Sequence, residues 1–200
     1  MQHGGAVTAC RNPSAWLLLV GWVWLWLPGA VAAADDADAH FAVREATARL
    51  QDGVYLLDAD IDFRFSEAAL EALRNGIPLV LEIQIKVERR RNWLWDDTVA
   101  ALGQRYSLQY HALSDRYVVH NLNTGQRQSY TTLDDALFVL GRVRDFPMLD
   151  RRLLETGGDY QASVRAALVV EQLPTPMRLW AYASDQWRLD SAWFSWPLQP

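Results

Sequence analysis

Hydrophobic and polar positions alternate with a period of two over most of this chain. From Tyr55 the odd positions read Tyr55, Leu57, Ala59, Ile61, Phe63 and Phe65, and the even ones Leu56, Asp58, Asp60, Asp62 and Arg64. Such alternation predicts a strand with one face in a core and the other in water. Leu79, Leu81, Ile83, Ile85 and Val87 alternate in the same way with Val80, Glu82, Gln84, Lys86 and Glu88. An earlier strand is predicted over 41–50, joined to the first through Gln51-Asp52-Gly53, a glycine-containing hairpin signal. Further strands are predicted over 105–113, 117–122, 126–131, 160–172 and 187–194. Turn residues separate them at Ser114-Asp115, Asn123-Thr124-Gly125 and Gly157-Gly158-Asp159.

Two segments break this period in favour of short helices. Over 67–75, Ser66 can cap the first amides, Glu67 suits the positive end, and Gly76 can take the left-handed position after the last turn. Over 133–143, Thr132 with Asp135 three residues on forms a capping box built with Asp, and Gly141 limits the length. Residues 149–155 read as a helical turn, and 177–183, behind Pro174-Thr175-Pro176, fits either helix or strand. Seven to eight amphipathic strands with two short helices predict a mainly β fold, an antiparallel sandwich-like domain. Charged strand faces and capped helices speak against an outer-membrane barrel, which turns apolar faces outward.

The amino terminus follows a different pattern. Arg11 precedes an apolar run from Ala15 to Leu27, and Pro28-Gly29 leads into Ala30-Val31-Ala32. A positive segment, an apolar segment and an A-x-A site make residues 1–34 a cleavable signal peptide, with an uncleaved anchor as the alternative. The run is shorter than the roughly 20 residues of a spanning helix. Residues 35–200 are then a single β-rich globular domain exported to the periplasm, with no transmembrane span.

Charge and cysteine narrow the chemistry. Residues 35–200 carry 18 Lys/Arg against 24 Asp/Glu, a formal charge of −6, which argues against nucleic acid as partner. The one cysteine, Cys10, lies before the apolar run, whereas a lipoprotein needs it just after. The exported part is therefore cysteine-free, so disulfides, thiolate nucleophiles and cysteine metal sites are excluded from it.

Asp58, Asp60 and Asp62 invite a calcium reading, but Phe63 and Ala69 stand where an EF-hand loop needs Gly and Glu. Alternate carboxylates on a strand lie roughly 6.5–7 Å apart, so a solvated strand face is expected and no metal. His111 and His120 would face each other across a two-residue turn at Asp115-Arg116. They make only half a zinc site, with no third ligand nearby. No G-x-S-x-G, H-E-x-x-H, S-x-x-K or phosphate-binding glycine loop occurs, so no catalytic residue and no cofactor is assigned.

Two aromatic stretches remain as candidate binding surfaces. Arg89, Arg90 and Arg91, followed by Trp93 and Trp95, combine bidentate donors with flat apolar rings. They fit a partner-docking rim, the alternative being a strand end whose arginines pair with Glu88, Asp96 and Asp97. Near the carboxyl end, Trp187, Trp193 and Trp196 fit a ligand platform, with Trp187, Leu189 and Trp193 sharing strand parity; core packing is the alternative.

Five separated segments carry a family resemblance: 55–61, 69–79, 105–119, 173–179 and 187–198. They include Leu70-Glu71-Ala72-Leu73-Arg74-Asn75-Gly76-Ile77-Pro78-Leu79, Arg105-Tyr106-Ser107-Leu108-Gln109-Tyr110-His111 and Trp187-Arg188-Leu189-Asp190-Ser191-Ala192-Trp193-Phe194-Ser195-Trp196-Pro197-Leu198. Together they resemble the proteobacterial domain-of-unknown-function family numbered 4390, over nearly all of the exported chain. The resemblance implies an exported protein without an assigned activity. It also implies genes beside a nitrogen-regulation-type sensor kinase, and hence an accessory of envelope signalling.

The expected function is a non-enzymatic periplasmic binding module whose partner is an envelope protein such as a sensor kinase. A small-ligand or glycan binder using the terminal tryptophans is the alternative. A hydrolase built on strand-borne carboxylates or histidines is the third reading.

Overall fold

The computed structural model describes residues 39–91 and 96–199. The signal-peptide reading, and Trp93 and Trp95 of the predicted rim, lie outside the described residues. Among those described, no helix is long and apolar enough to cross a membrane.

Strands β1 (Phe41–Gln51) and β2 (Val54–Phe63) form the predicted hairpin. Asp52 and Gly53 both adopt positive φ, 52° and 82°, the turn whose twist matches the flanking strands. Helix α1 (Glu67–Arg74) starts where Ser66 Oγ accepts from the Ala69 amide at 3.2 Å. It ends where the amides of Gly76 and Ile77 return to the carbonyls of Leu73 and Ala72, at 2.9 and 3.0 Å, a glycine-dependent stop with Gly76 at φ 78°. Strand β3 (Leu79–Arg89) follows, then β4 (Asp97–His111), β5 (Arg116–Asn121) and β6 (Arg127–Tyr130). Helix α2 (Leu133–Leu140) is capped as predicted, Thr132 Oγ1 accepting from the Asp135 amide at 3.1 Å. Strands β7 (Arg142–Asp150) and β8 (Tyr160–Leu168), helix α3 (Thr175–Ala183) and strand β9 (Phe194–Leu198) complete the order.

These nine strands form two antiparallel sheets, β1-β2-β7 and β6-β5-β4-β3-β8-β9. The mainly β, sandwich-like prediction therefore holds. The odd residues from Tyr55 to Phe63 and from Leu79 to Val87 are all buried, and they join Ala162, Val164, Ala166 and Leu168 in one core. Leu57, Leu81 and Val87 are wholly inaccessible, and burying each such side chain contributes about 1.5–3 kcal/mol.

Several boundaries differ from expectation. The second helix stops at Leu140, and residues 142–150 are a strand rather than a helix tail and loop. The pairing of β2 with β7 shifts register twice, Asp145 takes φ 52°, and Pro147 interrupts the ladder donors. Bulges of this kind erase the period of two that marks a strand. The strand predicted over 187–194 is replaced by a 3-10 turn at Asp185–Trp187, and β9 begins only at Phe194. The turn between β4 and β5 spans 112–115 rather than two residues. His111 accordingly faces Arg116, and His120 faces Ser107 on β4, so the two histidines are not opposed.

Candidate functional site

The outer face of the six-stranded sheet gathers the polar positions of its central strands. On β3 these are Glu82, Gln84, Lys86 and Glu88, with Arg90 continuing the same parity. Glu82 pairs with Arg105 on β4, while Gln84 pairs with Gly103 on β4 and with Arg165 on β8. Arg105 Nε donates to Glu82 Oε1 at 2.8 Å, Gln84 Nε2 donates to Glu82 Oε2 at 2.7 Å, and Arg165 Nε donates to Gln84 Oε1 at 2.8 Å. The four side chains form one continuous relay across three strands. Gly103 makes room for it, because a side chain there would meet Glu82 Oε1 at 2.9 Å. Burial works to raise the pKa of Glu82, yet the hydrogen bonds from Gln84 and Arg105 and the charges of Arg105 and Arg165 hold it below the ordinary carboxylate range.

Beside this relay lies Trp193. Its ring centroid is 4.8 Å from Lys86 Nζ and 4.8 Å from Arg165 Cζ, so one indole lies within reach of two cations. Lys86 is the only lysine in the chain. Neither Lys86 nor Arg165 has a carboxylate within ion-pair distance among the described residues, and the ring stays 36% exposed. On this face Lys86, Arg90, Arg105 and Arg165 stand with Glu82, Glu88 and Asp190, which lies opposite Ala167, although the whole chain is acidic at −5.

The arginine run divides by partner. Arg89 Nη1 binds Glu155 at 2.7 Å, and Arg91 Nη2 binds Asp97 at 2.9 Å while its amide donates to Asp96 at 3.2 Å. Arg90 donates its amide to the Asp159 carbonyl at 2.9 Å, but its guanidinium has no ion pair among the described residues. It lines a cleft of about 210 Å³ with Gln161, Ser195, Trp196 and Pro197, beside Asp159 and Tyr160. Of the strand-end pairs expected, Arg91–Asp97 is present, Asp96 accepts only the Arg91 backbone amide, and Arg89 takes Glu155 rather than Glu88.

The three terminal tryptophans do not share a surface. Trp187 is buried, 7% exposed, in the core. Trp193 stands on the outer face with Lys86 and Arg165, whereas Trp196 pairs with Ala162 of β8 and packs toward the core. The fold thus brings Trp193 onto the outer sheet face whose parity Arg90 continues, and separates both from Trp187. Sequence reasoning missed Lys86 and Arg165. Each is legible in sequence as a cation at outward parity on its own strand, but their grouping rests on the pairing of β3 with β8.

The aspartates of β2 are engaged by arginines. Asp58 pairs with Arg49, Asp60 Oδ1 with Arg144 at 2.5 Å, and Asp62 Oδ2 with Arg44 at 2.7 Å. Among the described residues no group of three or more His, Cys, Asp or Glu is placed to hold a metal ion.

A family model described as Domain of unknown function (DUF4390) matches residues 38–197. No curated protein and no solved structure matches the chain.

Proposed function

Starting from the fact that the chain belongs to the DUF4390 family, we propose that it is an exported, non-enzymatic binding module of the bacterial periplasm whose partner is an envelope protein such as a sensor kinase. The observation that supports this reading is Trp193, exposed and set beside Lys86 and Arg165 on the outer sheet face that leads to Arg90. Tryptophan and arginine are the residues that most often dominate interface energies. Cations without internal carboxylate partners favour an acidic surface on the partner and speed its approach. Arg89 ends β3 and Arg90 and Arg91 follow it directly; with Trp93 and Trp95, which lie outside the described residues, they complete the proposed contact set.

The test is crosslinking in living cells, followed by mass spectrometry of what travels with the tagged protein. Lys86 is the one side-chain amine that an amine-specific reagent can reach, so Lys86→Arg serves as the control that separates it from the amino terminus. A specific envelope protein that is captured by the native chain, and lost in a variant with Arg89, Arg90 and Arg91 changed to Ala and in Trp193→Ala, supports the reading. A partner captured equally by both variants removes the assignment to this face. No capture by a demonstrably folded protein transfers the function to small-ligand binding.

A further inference from the structure

The outlying half of the six-stranded sheet turns its other face toward α2. Tyr106 on β4 pairs with Asn121 on β5, and Val119 on β5 pairs with Gln128 on β6. With Tyr130 and Gln126 these side chains line a cleft of about 180 Å³, closed on its far side by Val139 and Leu140 of α2. No carboxylate lines it. Its single cation, Arg142, lies 3.8 Å from the Phe138 ring centroid.

The hydrogen-bonding capacity left in this cleft is specific. Asn121 Oδ1 accepts the amides of Asn123 and Thr124 at 2.9 and 3.1 Å, which leaves its Nδ2 donor unspent. Tyr130 donates its hydroxyl to Gln128 Oε1, leaving Gln128 Nε2 unspent and a lone pair on the phenol. The side chain of Gln126 and the hydroxyl of Tyr106 have no partner among the described residues. Burial raises the Tyr106 pKa, so that hydroxyl stays neutral and able both to donate and to accept.

We propose that this cleft binds an uncharged, hydroxyl-rich ligand, a neutral saccharide unit, held between the tyrosine rings and the amides of Asn121, Gln126 and Gln128. A cationic ligand would be desolvated against a lining without a carboxylate, and an anionic one would meet only Arg142, whose guanidinium is stacked on Phe138. A purely apolar ligand would strand the Tyr106 hydroxyl and the Gln128 amide. A sugar ring offers donors and acceptors at its rim and apolar faces to tyrosine, and its size suits the cleft. This site is separate from the outer sheet face, so it stands or falls independently of the partner-binding reading.

The test is an NMR titration of the purified protein with two neutral disaccharides, diacetylchitobiose and maltose, and with digalacturonate as the charged control. Saturable shifts at Tyr106, Gln128 and Tyr130 with at least one neutral sugar are expected. Digalacturonate is expected to give none, and added salt should leave the affinity unchanged because no charge is paired. Tyr106→Phe removes one hydroxyl that no protein group uses, so its thermal midpoint should match the native protein while affinity falls roughly tenfold. The proposal is overturned by the absence of saturable shifts with both neutral sugars, by equal binding of digalacturonate, or by native affinity in Tyr106→Phe.

Discussion

Gly141 lies directly against the backbone of Ile61. The Ile61 amide donates to the Gly141 carbonyl at 2.8 Å, and any side chain at Gly141 would run into the Ile61 carbonyl oxygen. This contact seats the end of α2 on β2 and determines where β7 can begin. Gly141→Ala should therefore destabilise the fold by about 3 kcal/mol, the upper end of overpacking costs, because backbone cannot yield as a side chain can. Denaturant unfolding reads this directly. A loss below about 1 kcal/mol would mean that the helix can shift away from the strand.

Ser66 is 1% exposed and fully used. Its Oγ accepts from the Ala69 amide at 3.2 Å and donates to the Gln186 carbonyl at 2.7 Å, so one hydroxyl caps α1 and ties it to the 3-10 turn carrying Trp187. Ser66→Ala should cost about 1–3 kcal/mol, combining the loss of a cap with a carbonyl left unpaired in the interior. Ser66→Thr should recover part of this if the extra methyl is accommodated. Equal stability of Ser66→Ala and the native protein would show that water replaces the hydroxyl.

Trp187 and Trp193 lie six positions apart and should behave oppositely. Trp187→Ala opens a cavity in the core and should cost about 3–5 kcal/mol. Trp193→Ala removes a partly exposed ring and two cation contacts, and should cost less than about 1 kcal/mol. Paired thermal melts decide the matter. Comparable losses would mean that Trp193 supports the sheet rather than a partner.

Three carboxylates, spread over both sheets, make the fold sensitive to acid. Hydrogen bonds from the Arg152 side chain and amide hold Asp150 down to about 2, and the Arg44 hydrogen bond lowers Asp62; Glu82 is lowered as described above. Each group binds a proton more readily in the unfolded chain, so the stability it contributes is complete above its unfolded pKa and is lost as pH falls through its folded pKa. Stability should decline between about pH 4 and pH 2, and Asp150→Asn should flatten that decline. An unchanged acid profile in this variant would place the effect elsewhere.

The legible part of this fold was the part whose burial alternates. β2 and β3 each bury one side, and the period of two survives in sequence. Both helix caps were legible because Ser66 and Thr132 act on amides only three residues away. β7 was not legible, since bulges and Pro147 give it no period. The site divided along the same line. Arg89, Arg90 and Arg91 announce themselves by adjacency. The grouping of Lys86 and Arg165 with Trp193 depends on β3 lying beside β8, a long-range pairing that no local pattern encodes.

That same neighbour relation sets the order in which the molecule can be assembled in time. Ile83 pairs with Gln104 on one side and with Ala166 on the other, and β8 in turn waits for Phe194–Leu198. A chain emerging from its amino end therefore completes β4, β5 and β6 while the other edge of β3 is still bare. Non-local pairing of this kind is slow to form, and an apolar strand with an open edge invites association in the interval. Leu79–Arg89 is thus the segment that a holdase would grasp first, and its second edge is covered only when synthesis has passed Leu168.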